Sequence, residues 1–127
     1  MAARPAAGRL RPGRRLTGRP WRLALHPLVP GDVVRIGRHI AEVSGDSSAG
    51  RRRVEEAEAL LAAIAEAPLL GAPLDGALDG FRRRQGGRDG RLTAIYTVDE
   101  AAITARVLLV AFGAADWTSR AARRRGA

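Results

Sequence analysis

Apolar residues recur along this chain with two different periods, and each change of period marks an element. In PWRLALHP (20–27) they alternate. Trp21, Leu23 and Leu25 fall on one side and Arg22, Ala24 and His26 on the other, which predicts a half-buried strand stopped by Pro27. From Val29 the period lengthens: Val29, Val33, Ile36, Ile40 and Val43 are spaced by four, three, four and three. That stripe predicts an amphipathic helix over 30–43, with Asp32 near its positive start and Gly37 weakening it by up to about 1 kcal/mol. SGDSSAG (44–50) interrupts the pattern, and Asp46, Ser47 or Ser48 can cap a second helix over 48–67. Val54, Ala57, Leu61 and Ile64 form its stripe, and the short connection predicts an antiparallel helix hairpin. On its exposed face Arg51–Glu55 and Arg52–Glu56 have the spacing of i,i+4 ion pairs.

APLLGAPLDGALDG (67–80) is a loop by its prolines and glycines. Beyond it strand periodicity returns over 80–85, turns at GGRDG (86–90), and resumes over 91–98. A last strand, ITARVLLVAF (103–112), is apolar on both faces in its second half, as expected of an interior strand covered by helices. The order is strand, antiparallel helix hairpin, then a three-strand antiparallel meander. It predicts an α+β domain with the helices packed on one sheet face.

Charge sharpens the boundaries. The 127 residues carry a net charge of +9, but residues 1–20 hold six Arg and no acid, and residues 118–127 hold four Arg and no acid. The stretch between has twelve Arg and all thirteen acids. Residues 1–19 therefore read as a disordered basic tail, 20–117 as the folded domain and 118–127 as a basic C-terminal tail. Such tails can bind polyanions without specificity. All the basic residues are Arg and there is no Cys, which excludes a lysine Schiff base, a disulfide framework and a thiolate metal site. No apolar run is long enough to span a bilayer and the N-terminus lacks the apolar core of a secretory signal, so a cytoplasmic location is expected, with no membrane partner.

Few residues offer chemistry. His26 and His39 are isolated from carboxylate clusters, so no metal or other cofactor is expected. Ser44, Ser47 and Ser48 are explained by capping, and GGRDG lacks the Lys of a phosphate-binding loop. The arginines of GFRRRQGGRDGR are different. Arg82 and Arg84 share one strand face and Arg83 the other, Arg88 lies in the turn, and Arg91 opens the next strand. Paired strands would gather these guanidiniums at one end of the sheet. There they would suit nucleic-acid phosphates or the carboxylates of an acidic partner, or simply keep a sheet edge solvated. Tyr96 has Leu92, Ala94 and Val98 on its face and reads as core.

Taken in order, these segments resemble the RelE/ParE superfamily, the toxins of type II toxin–antitoxin pairs. WRLALHPLVPGDVVRIGRHI resembles the family's opening strand and acidic-start helix. SGDSSAGRRRVEEAEALLAAIAEAPLLGAPL is similar to its second helix and following loop. LDGFRRRQGGRDGRLTAIYTVDE resembles its arginine strand, turn and tyrosine strand, and VLLVAFGAADW its final strand. The resemblance covers Trp21 to Trp117. It implies a growth inhibitor neutralised by a cognate antitoxin that lays an acidic segment over it. ParE-like relatives inhibit DNA gyrase; RelE-like relatives cleave mRNA in the ribosomal A site. For the second activity the resemblance implicates Arg83, Arg84, Arg91 and Tyr96 as a metal-independent endoribonuclease site. RelE-like nucleases usually carry an Arg three residues before the strand tyrosine, where this chain has Thr93; Arg91 stands two residues earlier. The helix hairpin and the Asp116–Trp117 ending look closer to ParE-like members, which sets gyrase ahead of mRNA as target. A non-toxic basic nucleic-acid-binding module is the third reading.

Overall fold

The computed structural model describes residues 20–126; the N-terminal basic stretch expected to be disordered lies outside them. The elements run β1 (Arg22–Leu25), α1 (Val29–Ser44), α2 (Ser47–Glu66), β2 (Ala72–Pro73), β3 (Arg82–Gly86), β4 (Leu92–Asp99), β5 (Thr104–Phe112) and α3 (Trp117–Arg125). They build a five-stranded sheet in the order β1-β5-β4-β3-β2. The expected antiparallel meander is β3-β4-β5, extended at one edge by the two-residue β2. At the other edge β1 pairs parallel with β5, Arg22 opposite Thr104 through Leu25 opposite Val107. The chain is thus α+β.

The helix hairpin covers one sheet face. Val29, Val33 and Ile36 of α1 and Ala57, Leu60, Leu61 and Ile64 of α2 close over Leu92, Ala94, Tyr96, Ala105, Val107 and Val110. The helices lie close because Gly37 and Gly50 face each other across the hairpin. A Cβ on Gly37 would stand 2.6 Å from the Val54 side chain, so a weak helix former is kept where contact demands it. Asp46 caps α2, accepting hydrogen bonds from the Ser48 amide at 2.9 Å and its hydroxyl at 2.7 Å. The exposed ion pairs expected within α2 are replaced by others. Arg52 turns to Ser48 and Asp46, and Arg53, not its neighbours, pairs with Glu56 at 2.8 Å. Arg53 also grips Asp89 of the β3–β4 turn through two bonds of 2.9 and 3.0 Å, tying helix to turn.

The stretch expected as a basic tail over 118–127 is mostly helix. Asp116 caps α3 by accepting from the Ser119 amide, and α3 packs on the second sheet face, opposite the hairpin. There Ala121 joins Leu78, Ile95, Leu108, Leu109 and Ala111, with Trp117 partly buried beside them. The arginine run folds because Arg124 has a buried partner. Asp32 of α1, 1% exposed, accepts from Arg124 at 2.7 and 3.1 Å, from Arg35 at 2.9 Å and from the Val110 amide at 3.1 Å. The cause is the short first strand. β1 covers β5 only to Val107, so the edge beyond has no strand partner, and a register shift near Tyr96 leaves Leu108 outside the pairing of β4 with β5. Asp32 takes the open amide of Val110, and Arg124 donates to the Leu108 carbonyl at 3.0 Å.

Removing either partner of this pair leaves a buried charge without a counterion. Asp32→Ala is expected to lower the unfolding free energy by about 3–5 kcal/mol, several times the cost of altering an exposed ion pair. Urea denaturation of Asp32→Ala beside Arg52→Ala is the comparison that checks it.

Candidate functional site

The residues singled out from sequence sit at one end of the sheet, but they face different ways. Arg84 points toward α2 and donates to the carbonyls of Ala63 and Ala67 at 3.0 and 3.2 Å, closing the helix C-terminus. Arg82, on the same face, donates to the carbonyls of Leu69 and Gly71 at 3.2 and 2.8 Å. Both guanidiniums hold the loop that follows α2. Arg83 faces the α3 side, 5.9 Å from the Trp117 ring centroid. Arg88 is exposed in the turn, where it and Arg84 line an open groove of about 380 Å³ between α2 and β3. Arg91 lies past the turn with its guanidinium 4.7 Å from the Phe112 ring centroid. Arg53 lies at the same distance from that ring, so Phe112 carries two guanidiniums.

Tyr96 is fully buried. Its hydroxyl donates to the Pro68 carbonyl at 2.7 Å and accepts from the Gly71 amide at 3.0 Å. A side chain at position 71 would collide with the phenol, so Gly71 is required by close approach. Burial pushes the Tyr96 phenol above its ordinary value, the opposite of what a proton-accepting tyrosine needs. Thr93, where RelE-like relatives usually carry Arg, is 5% exposed and pairs with Ala111 on the α3 side. Arg91, two residues earlier, has its guanidinium at the Phe112 ring. The set Arg83, Arg84, Arg91 and Tyr96 is not brought together around a common point: Tyr96 and Arg84 belong to the packing under α2, Arg83 to the α3 face, and Arg91 to Phe112. Among the described residues no group of three His, Asp or Glu side chains could hold a metal ion.

Sequence reasoning missed a second gathering of charge, between α1, the end of β5 and α3. Arg35, His39 and Arg120 line a cleft of about 190 Å³ over Ile36, Val110 and Phe112. His39 stands beside Phe112, ring centroids 6.4 Å apart. The signal is present but divided: Arg35 and His39 share a helix face four residues apart, while Arg120 lies in a segment whose composition is that of a tail.

The fold, an α+β arrangement of a helix hairpin and a mixed five-stranded sheet, is shared by solved structures of RelE toxins. One solved structure that shares it is a chain of the toxin–antitoxin complex RelBE2 from Mycobacterium tuberculosis. It is 20% identical with a TM-score of 0.52, over 75% of this chain and 93% of that one. Another is the E. coli toxin RelE in the free state, a variant with two arginines changed to alanine. It is 16% identical with a TM-score of 0.57, over 84% of this chain and 98% of that one. At these identities the likeness is one of fold. No family model and no curated protein matches the sequence.

Tyr96 is the single tyrosine of the chain, which makes its titration directly readable. A phenol whose folded pKa is raised contributes stability that is complete below its unfolded value, 10.0, and is lost as pH rises through the folded one. Phenolate absorbance should therefore rise later than in the unfolded chain, together with alkaline unfolding. Tyr96→Phe leaves the Gly71 amide and the Pro68 carbonyl unpaired and should cost about 1–3 kcal/mol at neutral pH.

Proposed function

We propose that this protein is the growth-inhibiting toxin of a toxin–antitoxin pair and that it acts by binding its target, DNA gyrase, not by cutting RNA. The toxin reading is carried by the fold. The mode of action is supported by what the groups that the resemblance implicates in RNA cleavage are doing. Tyr96 is sealed between two backbone groups, and Arg82 and Arg84 hold carbonyls of the loop after α2. Cleavage by attack of a 2′-hydroxyl needs a base, an acid and a stabiliser of the phosphorane at one point. Arginine supplies only the last of these, since it stays protonated. Binding needs no such convergence. The partner that silences the toxin is an antitoxin with an acidic segment, matched to a basic surface that includes Arg88 and Arg91, and the pair works in the cytoplasm.

The second reading is a ribosome-dependent mRNA endonuclease using Arg83, Arg84, Arg91 and Tyr96. It is favoured by one observation: the two solved structures described above that share the fold are of RelE systems. Inducible expression separates the two. On the gyrase reading growth stops, transcripts stay intact, purified protein blocks supercoiling, and co-expression of the antitoxin restores growth. Transcripts cut at defined sites, with the cuts lost in Arg91→Ala, would establish the nuclease instead. Unimpaired growth at high expression would leave only a basic nucleic-acid-binding module.

A further inference from the structure

The cleft between α1, β5 and α3 holds more positive charge than its one carboxylate can neutralise. Three guanidiniums converge on Asp32. Arg124 takes most of it, with bonds to both carboxylate oxygens. Arg35 makes one bond at 2.9 Å and its side chain remains 59% exposed. Arg120 comes no closer than 3.6 Å and makes no side-chain hydrogen bond among the described residues. For Arg35 and Arg120, Asp32 is the one carboxylate within ion-pair distance among those residues. Arg91 adds a fourth guanidinium at Phe112, the far end of the same cleft, again with no acid in ion-pair distance among the described residues.

Arg35 and Arg120 stand within ion-pair distance of a fully buried carboxylate, and with His39 they border a floor of Ile36, Val110 and Phe112, whose apolar surface strengthens an electrostatic contact relative to open water. Arg35 and His39 come from α1 and Arg120 from α3, so the donors reach the cleft from two elements. A planar carboxylate is matched by one guanidinium fork, whereas donors from several directions match the tetrahedral oxygens of a phosphate. At about 190 Å³ the cleft falls below the roughly 300–1,000 Å³ of pockets that enclose a whole organic ligand, but it admits a single oxyanion.

We infer that Arg35, Arg120 and His39 form a binding site for one phosphate group, either free phosphate or a phosphate of a nucleic-acid backbone. The site does not rest on the toxin reading, and either can fail without the other.

Thermal unfolding of the full chain in phosphate and in chloride at matched ionic strength is the test, because a ligand that binds only the folded state raises Tm saturably. Phosphate should give a saturable rise. Arg35→Gln with Arg120→Gln should weaken it by about tenfold or more, the loss expected when charge-assisted bonds are removed. Arg38→Gln, an exposed arginine of α1 outside the cleft, should leave it intact. Should the double variant fail to fold, Arg120→Gln alone carries the same comparison, since its side chain makes no hydrogen bond that the fold would lose. A short single-stranded RNA that displaces phosphate, with the same dependence on Arg120, identifies the backbone as the source; phosphate binding without displacement identifies free phosphate. No saturable rise over chloride, an equal rise in the arginine variants, or an equal rise with glutamate in place of phosphate would each overturn the site.

Discussion

A carboxylate buried at the start of α1 holds this fold together. The sheet ends one edge on a strand of four residues, and the strand beside it continues past that cover. Open backbone groups inside a protein cost free energy unless something pairs them, and a further strand is one answer. Here the answer is ionic. Asp32 supplies the acceptor for the Val110 amide, Arg124 supplies the donor for the Leu108 carbonyl, and each is the other's counterion. The pair therefore joins three elements by a single contact: the hairpin on one sheet face, the edge of β5, and α3 on the other face. With the Asp116 cap and the Arg125 bonds to the Ala77 and Asp79 carbonyls, it ties α3 to the sheet. A segment reading WTSRAARRR has too few apolar residues to fold on packing alone, and Ala121 is its one fully buried side chain.

The arginines show how far composition misleads about surface chemistry. In a chain without lysine, guanidiniums also perform structural tasks that need several donors in one plane. Arg84 closes a helix end, Arg82 holds the loop behind it, and Arg53 clamps the hairpin turn. Arg125 reaches back to the Ala77 and Asp79 carbonyls, each at 2.9 Å, with its guanidinium over the Phe81 ring. A run of arginines on a strand is then weak grounds for expecting a phosphate surface. The more informative quantity is the number of carbonyls and carboxylates each guanidinium already satisfies: by that measure Arg82 and Arg84 are engaged, whereas Arg120 at the α1–β5–α3 cleft and Arg83, Arg88 and Arg91 at the β3–β4 hairpin make no side-chain hydrogen bond among the described residues.

Elements with one strong periodicity were legible in the sequence. The stripe from Val29 to Ile36, the Asp46 cap and the alternation through β3, β4 and β5 depend on local spacing, and local spacing is what a sequence displays. The late part of the first stripe was not reliable, since Val43 ends up 67% exposed beyond the sheet. What stayed hidden has a common cause: a partner far away in the chain. The parallel pairing of β1 with β5 joins residues about eighty positions apart, and Asp32 meets Arg124 across 92. From its sequence neighbours Asp32 is a helix-start charge and no more. The α3 segment, by its own composition without Asp32, describes a tail. The Tyr96 environment was half legible: its face marked it as core, but the Gly71 amide and Pro68 carbonyl that seal its hydroxyl come from a loop with no periodicity.

The reach of that one contact also bears on the order in which the molecule assembles. The helix hairpin and the β3–β4–β5 meander form from neighbours in the chain, whereas the Asp32–Arg124 pair closes a loop of 92 residues. Closing a loop of that length costs entropy before the contact stabilises anything, which favours its forming after the local contacts. Interactions formed late act on the rate of unfolding much more than on the rate of folding. The ion pair is in this sense a latch: it adds little to the speed with which the chain finds its shape and sets how long the finished shape persists.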